Sequence, residues 1–178
     1  GFYFFAGAFL ARQNVAVFLQ GKHAHTVLDG LYLAKGEQHL DLCVDIFHQG
    51  PQTKSSQFFK GILNDRARGV FQGNITVHKE AVKTDAKQLN KNLILSTAAE
   101  VDTKPQLEID TDDVKCAHGA TVSQIRGDEI FYLQSRGLAK PQAIQILSSA
   151  FAKEILDKHE TFSAKHDHVK KVKEFLEA

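Results

Sequence analysis

Cys116 and His118 are the pair of side chains in this sequence best suited to soft-ligand chemistry. A thiolate and an imidazole both bind iron or zinc, and a neighbouring imidazolium lowers the pKa of a thiol. If Val114 to Val122 forms a strand, alternate side chains share a face, so the two point the same way. The pair could then carry a sulfur atom or coordinate a metal cluster. The competing reading makes Cys116 a small core hydrophobe and His118 a hydrogen-bonded neighbour, because a free cysteine is among the most buried residue types. On either functional reading, one thiolate and one imidazole leave a four-coordinate metal two ligands short.

Other candidates are weaker. Glu108, Asp110, Asp112 and Asp113 precede the pair and could bind a hard cation, but alternating acids usually form the solvated side of a strand and its turn. Cys43, between Leu42 and Val44, reads as core, and a Cys43 to Cys116 disulfide is not expected. His166 and His168 lack the spacing of four that places two imidazoles on one helical face, so a dedicated zinc site is not expected. Arg66 and Arg68 could meet an anion or an acidic surface, but solvated basic residues are the default. The sequence has no G-x-x-x-x-G-K-[ST] phosphate loop and no G-x-S-x-G elbow.

The elements that must position these residues change character along the chain. Val15, Val17 and Leu19 alternate, as do Leu31 and Leu33, then Leu40, Leu42, Val44 and Ile46, and this period of two is the strand signature. Glycines at 21, 30, 36, 50, 61, 69 and 73 punctuate the groups. A sandwich, a barrel and a β-helix all satisfy this pattern, and no fixed repeat length is evident. Thr76 to Lys91 is polar and charge-rich and reads as a connection or an exposed coil edge. Phe2 to Leu10 reads as a buried strand.

After Ile125 the period becomes helical. Asp128 is a candidate N-cap with Glu129 in the first turn, and Gly137 is a C-terminal stop. A second helix starts near Pro141 and places Ile144, Leu147, Phe151 and Ile155 on one face. Thr161 or Ser163 caps a third, lined by Val169, Val172 and Leu176. The expected division is a β core over residues 1–126 and a helical part over 127–178.

Composition excludes some classes. Lys and Arg number 22 against 21 Asp and Glu, so there is no cationic excess to neutralise phosphates or anionic lipid, and neither nucleic acid nor membrane partners are expected. No run approaches the roughly 20 apolar residues of a bilayer span. Two cysteines without secretory features fit a reducing, cytoplasmic compartment. The sequence has no Met and begins with Gly1, as a piece of a longer protein would.

Several strings, in order, carry a family resemblance. They are Phe58 to Leu63 (FFKGIL), Asp65 to Gly73 (DRARGVFQG), Lys83 to Ala86 (KTDA), Asn92 to Ser96 (NLILS), Asp102 to Val122 (DTKPQLEIDTDDVKCAHGATV) and Ile130 to Gly137 (IFYLQSRG). Together they resemble SufD of the SufB/SufD family, scaffold subunits of iron-sulfur cluster assembly. The assignment to SufD and not to its sister SufB rests mainly on His118 and Gly119.

The resemblance implies a right-handed parallel β-helix core followed by a C-terminal helical tail, and a non-enzymatic scaffold role. It implies pairing with SufB, at an interface where His118, supported by Cys116, takes part in assembling a transient iron-sulfur cluster. It also implies binding of the ATPase SufC, which holds the ATP, by the tail residues Ile144, Leu147, Phe151 and Ile155. No cofactor is expected to stay bound to this chain alone, and a homodimer is the alternative assembly without SufB. The rival hypothesis is a stand-alone metal- or sulfur-binding protein using Cys116 and His118.

Overall fold

The computed structural model describes residues 1–159 and 165–177. Nine strands form two parallel sheets: β1 (Phe2–Ala6), β3 (His25–Ala34), β5 (Lys54–Leu63), β7 (Thr84–Ile94) and β9 (Val114–Gln124) in one, and β2 (Leu10–Leu19), β4 (His39–His48), β6 (Arg68–Val77) and β8 (Glu100–Ile109) in the other. The chain alternates between the sheets at every corner, giving a β-solenoid of about four turns, the parallel β-helix expected. A turn takes 29 residues where Leu10 lies beside His39 and His39 beside Arg68. Later turns are longer, with Lys54 beside Asp85, Arg68 beside Glu100 and Thr84 beside Val114. These insertions at corners hide the period from the sequence.

The corners stack as well as the strands. His23, Gln52 and Lys83 occupy equivalent corner positions in successive turns, and all three adopt left-handed backbone, with φ of 63°, 59° and 60°. Each donates its amide to the next turn, His23 to the Pro51 carbonyl, Gln52 to Val82 and Lys83 to Asp113. These hydrogen bonds offset the strain of non-glycine residues in that region. Phe2 to Leu10 is not one buried strand: the chain turns at Gly7, with φ of 93°, and Phe9 is 72% exposed.

Inside the solenoid, Leu40, Leu42, Val44 and Ile46 pack with Tyr32, Phe59, Leu63, Phe71 and Ile75. The interior also contains polar ladders. Tyr32 reaches past Gly61, where a methyl group would overlap its ring, to hydrogen-bond Asn92. Asn92 donates to Asn90 at 2.6 Å, and Asn90 donates to the Phe59 carbonyl at 3.3 Å. At another level, His48 lies between Thr53 and Ser55 at 2.8 and 2.9 Å, and burial pushes its pKa down to about 4. Thr84, Ala86, Gln88, Asn90 and Asn92 of β7 are all buried, so 84–91 belongs to a central strand and not to a connection. Its inward face is polar, which removes the hydrophobic alternation that marks other strands.

The helices α1 (Gly127–Ser135), α2 (Lys140–Leu156) and α3 (Lys165–Glu177) follow, with a short 3-10 turn at Asp157–His159. Arg126, not Asp128, is the N-cap of α1, and its amide donates to Glu129 at 3.1 Å. Gly137, with φ of 91°, ends the turn after α1, and Pro141 lies in the first turn of α2. The proposed caps Thr161 and Ser163 lie outside the described residues. Helices α2 and α3 cover the outer face of the β1–β9 sheet, where Leu31, Leu33, Phe58, Ile62 and Leu93 meet Ala152, Ile155, Leu156 and Val172. Lys60, fully buried, anchors this junction. Its ammonium donates to the Phe151 carbonyl at 2.6 Å and to Glu154 at 2.5 Å, and lies 3.8 Å from the Phe151 ring centroid.

Candidate functional site at the last coil

Strands β9 and β8 form the edges of the two sheets at one end of the solenoid, as β1 and β2 do at the other. Cys116 and His118 follow Ala86 and Gln88 in register, and those two residues face the lumen. Both site side chains therefore project to the luminal side, as the alternation predicts. Cys116 packs partly against the inner core, whereas His118 is exposed because no further coil covers it.

The floor and far wall of the site come from residues with no obvious chemical motif. Gly73 faces Gln88 across the lumen, and a methyl group on Gly73 would overlap the Gln88 side-chain amide. One turn later Pro105 follows Gly73 and His118 follows Gln88, so Pro105 and His118 confront each other across the mouth. Gln57, Gln88 and His118 form one inward row along the solenoid axis. The side-chain amides of Gln57 and Gln88, and the hydroxyl of Thr103, are buried without a hydrogen-bond partner among the described residues.

Backbone polarity places the same residues at a free edge. The amides of Glu100 and Asp110 donate to Ala67 and Val77 in the preceding turn at 3.0 and 2.9 Å. Even-numbered residues of β8 therefore face β6, and Val101, Thr103, Pro105, Leu107 and Ile109 direct their backbone groups outward. Pro105 has no N–H to lose there, which is why a proline is tolerated in this strand. Asp85 donates to Thr53 at 3.0 Å, and the aligned residue in β9 is Lys115. By the same parity, Cys116, His118 and Ala120 present backbone N–H and C=O groups along the open edge of β9.

The thiol departs from the sequence expectation. Burial pushes the Cys116 pKa up, a backbone hydrogen bond with Ala86 pulls it down, and the Asp85 carboxylate raises it further. The surroundings of Cys116 therefore favour the protonated thiol. Glu108, Asp112 and Asp113 are exposed on the outer face of β8 and in the corner after it. Among the described residues, no group of three or more His, Cys, Asp or Glu side chains is arranged to hold a metal ion.

Comparison with known proteins gives this geometry a family. The model of the SUF system FeS cluster assembly SufBD core domain matches residues 2–151. The chain belongs to the SufBD family. An iron-sulfur cluster assembly SufBD family protein of Synechocystis sp. is 43% identical over 151 residues, covering 85% of this chain and 33% of that protein. Escherichia coli SufD, an iron-sulfur cluster assembly protein, is 40% identical over 154 residues, covering 86% and 36%. The chloroplastic protein ABCI7 of Arabidopsis thaliana is 39% identical over 153 residues, covering 85% and 32%. The chain thus spans about a third of the length of these relatives.

The tail stripe is divided by the structure. Ile155 is fully buried and Phe151 covers Lys60, while Ile144 and Leu147 are half-buried. Among the described residues of the helical part, the exposed aromatic residues are Phe131 and Tyr132 of α1, at 72% and 57%. Among the described residues, no helix is long and apolar enough to cross a membrane. Gln57, Gln88 and Gly73 carried no sequence signal for the site. Pro105 did, because a proline inside an alternating run marks an edge strand.

Proposed function

We propose that this chain is a non-catalytic scaffold subunit of a SufBCD-type complex, in which iron-sulfur cluster assembly takes place where its last coil meets SufB. One observation carries the reading: Cys116 and His118 project from an edge strand whose backbone is unpaired on one side, and among the described residues no third His, Cys, Asp or Glu joins them to hold a metal ion. Strand addition along an exposed edge is a recurring mode of protein pairing, and here it would bring partner side chains beside the imidazole. The cluster is cargo, held transiently between the subunits, and no cofactor stays on this chain alone. His118 acts as a ligand, and Cys116 supports it as a thiol that ionises only when metal arrives.

The helical tail is the part proposed to bind the ATPase SufC. Ile144 and Leu147 offer accessible apolar surface, whereas Phe151 and Ile155 act indirectly by fixing α2 on β5. ATP binding on SufC can rearrange the site only to the extent that it favours one tail arrangement over another. The cell compartment consistent with this role and with two free thiols is the cytoplasm.

The test is complementation of cells lacking the native protein by His118→Ala and Cys116→Ser variants in the full-length protein, with fold checked by circular dichroism. His118→Ala should abolish maturation of iron-sulfur enzymes while the fold persists, and Cys116→Ser should do less harm. Normal maturation with His118→Ala refutes the role. Stoichiometric iron and sulfide on the isolated chain would favour the stand-alone metal-binding alternative.

A further inference from the structure

Beside β9, the outer face of the β1–β9 sheet forms an open recess of about 420 Å³ whose wall includes Ala117, His118 and Gly119. Its floor is apolar, made by Phe58, Leu89 and Ala117, with Gly119 leaving the Leu89 side chain uncovered. Lys87 of β7 and Lys158 after α2 stand at its borders, both exposed. Three ammonium groups surround the ring of Phe58, with Lys158 at 4.2 Å, Lys91 at 5.6 Å and Lys60 at 5.8 Å from its centroid. Glu154 is the acid within the group, and it serves Lys60 at 2.5 Å and Lys91 at 3.1 Å. Asp157 lines a different cavity, between α2 and α3.

The lysines feel one another. The Lys60 pKa is lowered first by burial, against which Glu154 acts, and the charges of Lys91 and Lys158 lower it further. Among the described residues, Lys60, Lys87, Lys91 and Lys158 gather around Glu154 and make a local field that attracts anions, although the whole chain has a formal charge of only +1. A small-molecule site encloses most of its ligand, and this recess is too open for that. One of its walls is the edge strand β9, so any chain that pairs with β9 extends the recess.

We infer that this recess receives an acidic segment of the protein that pairs along β9, steering the partner onto the edge that carries His118. The inference rests on the pairing proposed above and adds where the partner's negative charge must lie. Exposed charges of this kind act chiefly on the association rate and on its salt dependence.

The experiment measures association of the full-length protein with SufB by stopped flow at 50 and 300 mM NaCl. The double variant Lys87→Glu/Lys158→Glu reverses two exposed charges whose side chains make no hydrogen bond among the described residues. It should associate at least tenfold more slowly than wild type at low salt, with the two rates converging at high salt. Lys104→Glu, on the outer face of β8 in the other sheet, is the control and should change the rate by less than twofold. Unchanged association of the double variant, or an equal loss with Lys104→Glu, overturns the inference while the pairing itself stands. If wild type and SufB do not associate at all, the pairing reading has failed instead. If inorganic pyrophosphate binds wild type but not the double variant, and association is unaffected, the recess is a small-anion site and the partner reading is wrong.

Discussion

Replacing Gly73 by alanine tests the construction of the site floor. The added methyl group would lie 3.0 Å from both Gln88 Cδ and Phe71 Cε1 and would overlap the Gln88 amide nitrogen. Gln88 is 3% exposed and Phe71 fully buried, so neither can swing into solvent. Overpacking of this kind costs about 1–3 kcal/mol. Restricting the unfolded chain returns roughly 0.4–1 kcal/mol, for a net loss of about 1–2 kcal/mol. Truncating Gln88 to alanine opens the space, so in that background Gly73→Ala should be neutral or slightly stabilising. The double-mutant cycle should therefore give a coupling of about 1–3 kcal/mol. Urea denaturation followed by far-UV circular dichroism measures it, provided the m-value is unchanged. An equal cost of Gly73→Ala in both backgrounds would refute the opposition of Gly73 and Gln88 across the lumen, and with it the placing of Pro105 against His118.

Two further outcomes follow from buried ionisable groups. The folded pKa of His48, about 4, lies below the ordinary value of 6.5, so between those limits the unfolded chain binds more protons. The contribution of neutral His48 is fully present above about pH 6.5 and is lost as the pH falls through 4, a loss of roughly 3 kcal/mol; a urea-midpoint profile no shallower in His48→Gln would contradict it. Lys60→Met keeps the buried stem, removes the charge and should cost no more than about 1 kcal/mol, whereas Lys60→Ala should cost roughly 2–3 kcal/mol because it also leaves a cavity between α2 and β5. Equal stabilities of the two variants would show that Lys60 does not pack α2 against β5.

Alternation read the apolar strands well, because in β4 the residues Leu40, Leu42, Val44 and Ile46 all face the lumen. It failed in β7, where the luminal residues are Thr84, Gln88, Asn90 and Asn92 and the interior is held by amide hydrogen bonds. Glycine punctuation marked the corners at Gly21, Gly36 and Gly50, but Gly30, Gly61, Gly69 and Gly73 lie inside strands, and the left-handed corner residues His23, Gln52 and Lys83 are not glycines because inter-turn hydrogen bonds stabilise them. In the tail, Gly137 and Pro141 marked the helix limits, but the buried side of α2 runs through Ser148, Ala152, Ile155 and Leu156. That choice is made by β5 and α3, not by helical periodicity. The shared direction of Cys116 and His118 was legible from spacing alone. Their position on the last open coil was not, because it depends on which strands remain unpaired.

Hydrogen-deuterium exchange along β9, before and after the full-length protein is mixed with SufB, tests the central claim most directly. The free edge leaves the amides of Cys116, His118 and Ala120 without partners in the sheet, so they should exchange fast in the isolated chain and be strongly protected in the complex. The amides of Lys115, Ala117 and Gly119 face β7 and should change little. If the complex forms while Cys116, His118 and Ala120 exchange at their free rate, the edge of β9 is not where the subunits meet, and the cluster site proposed there does not exist.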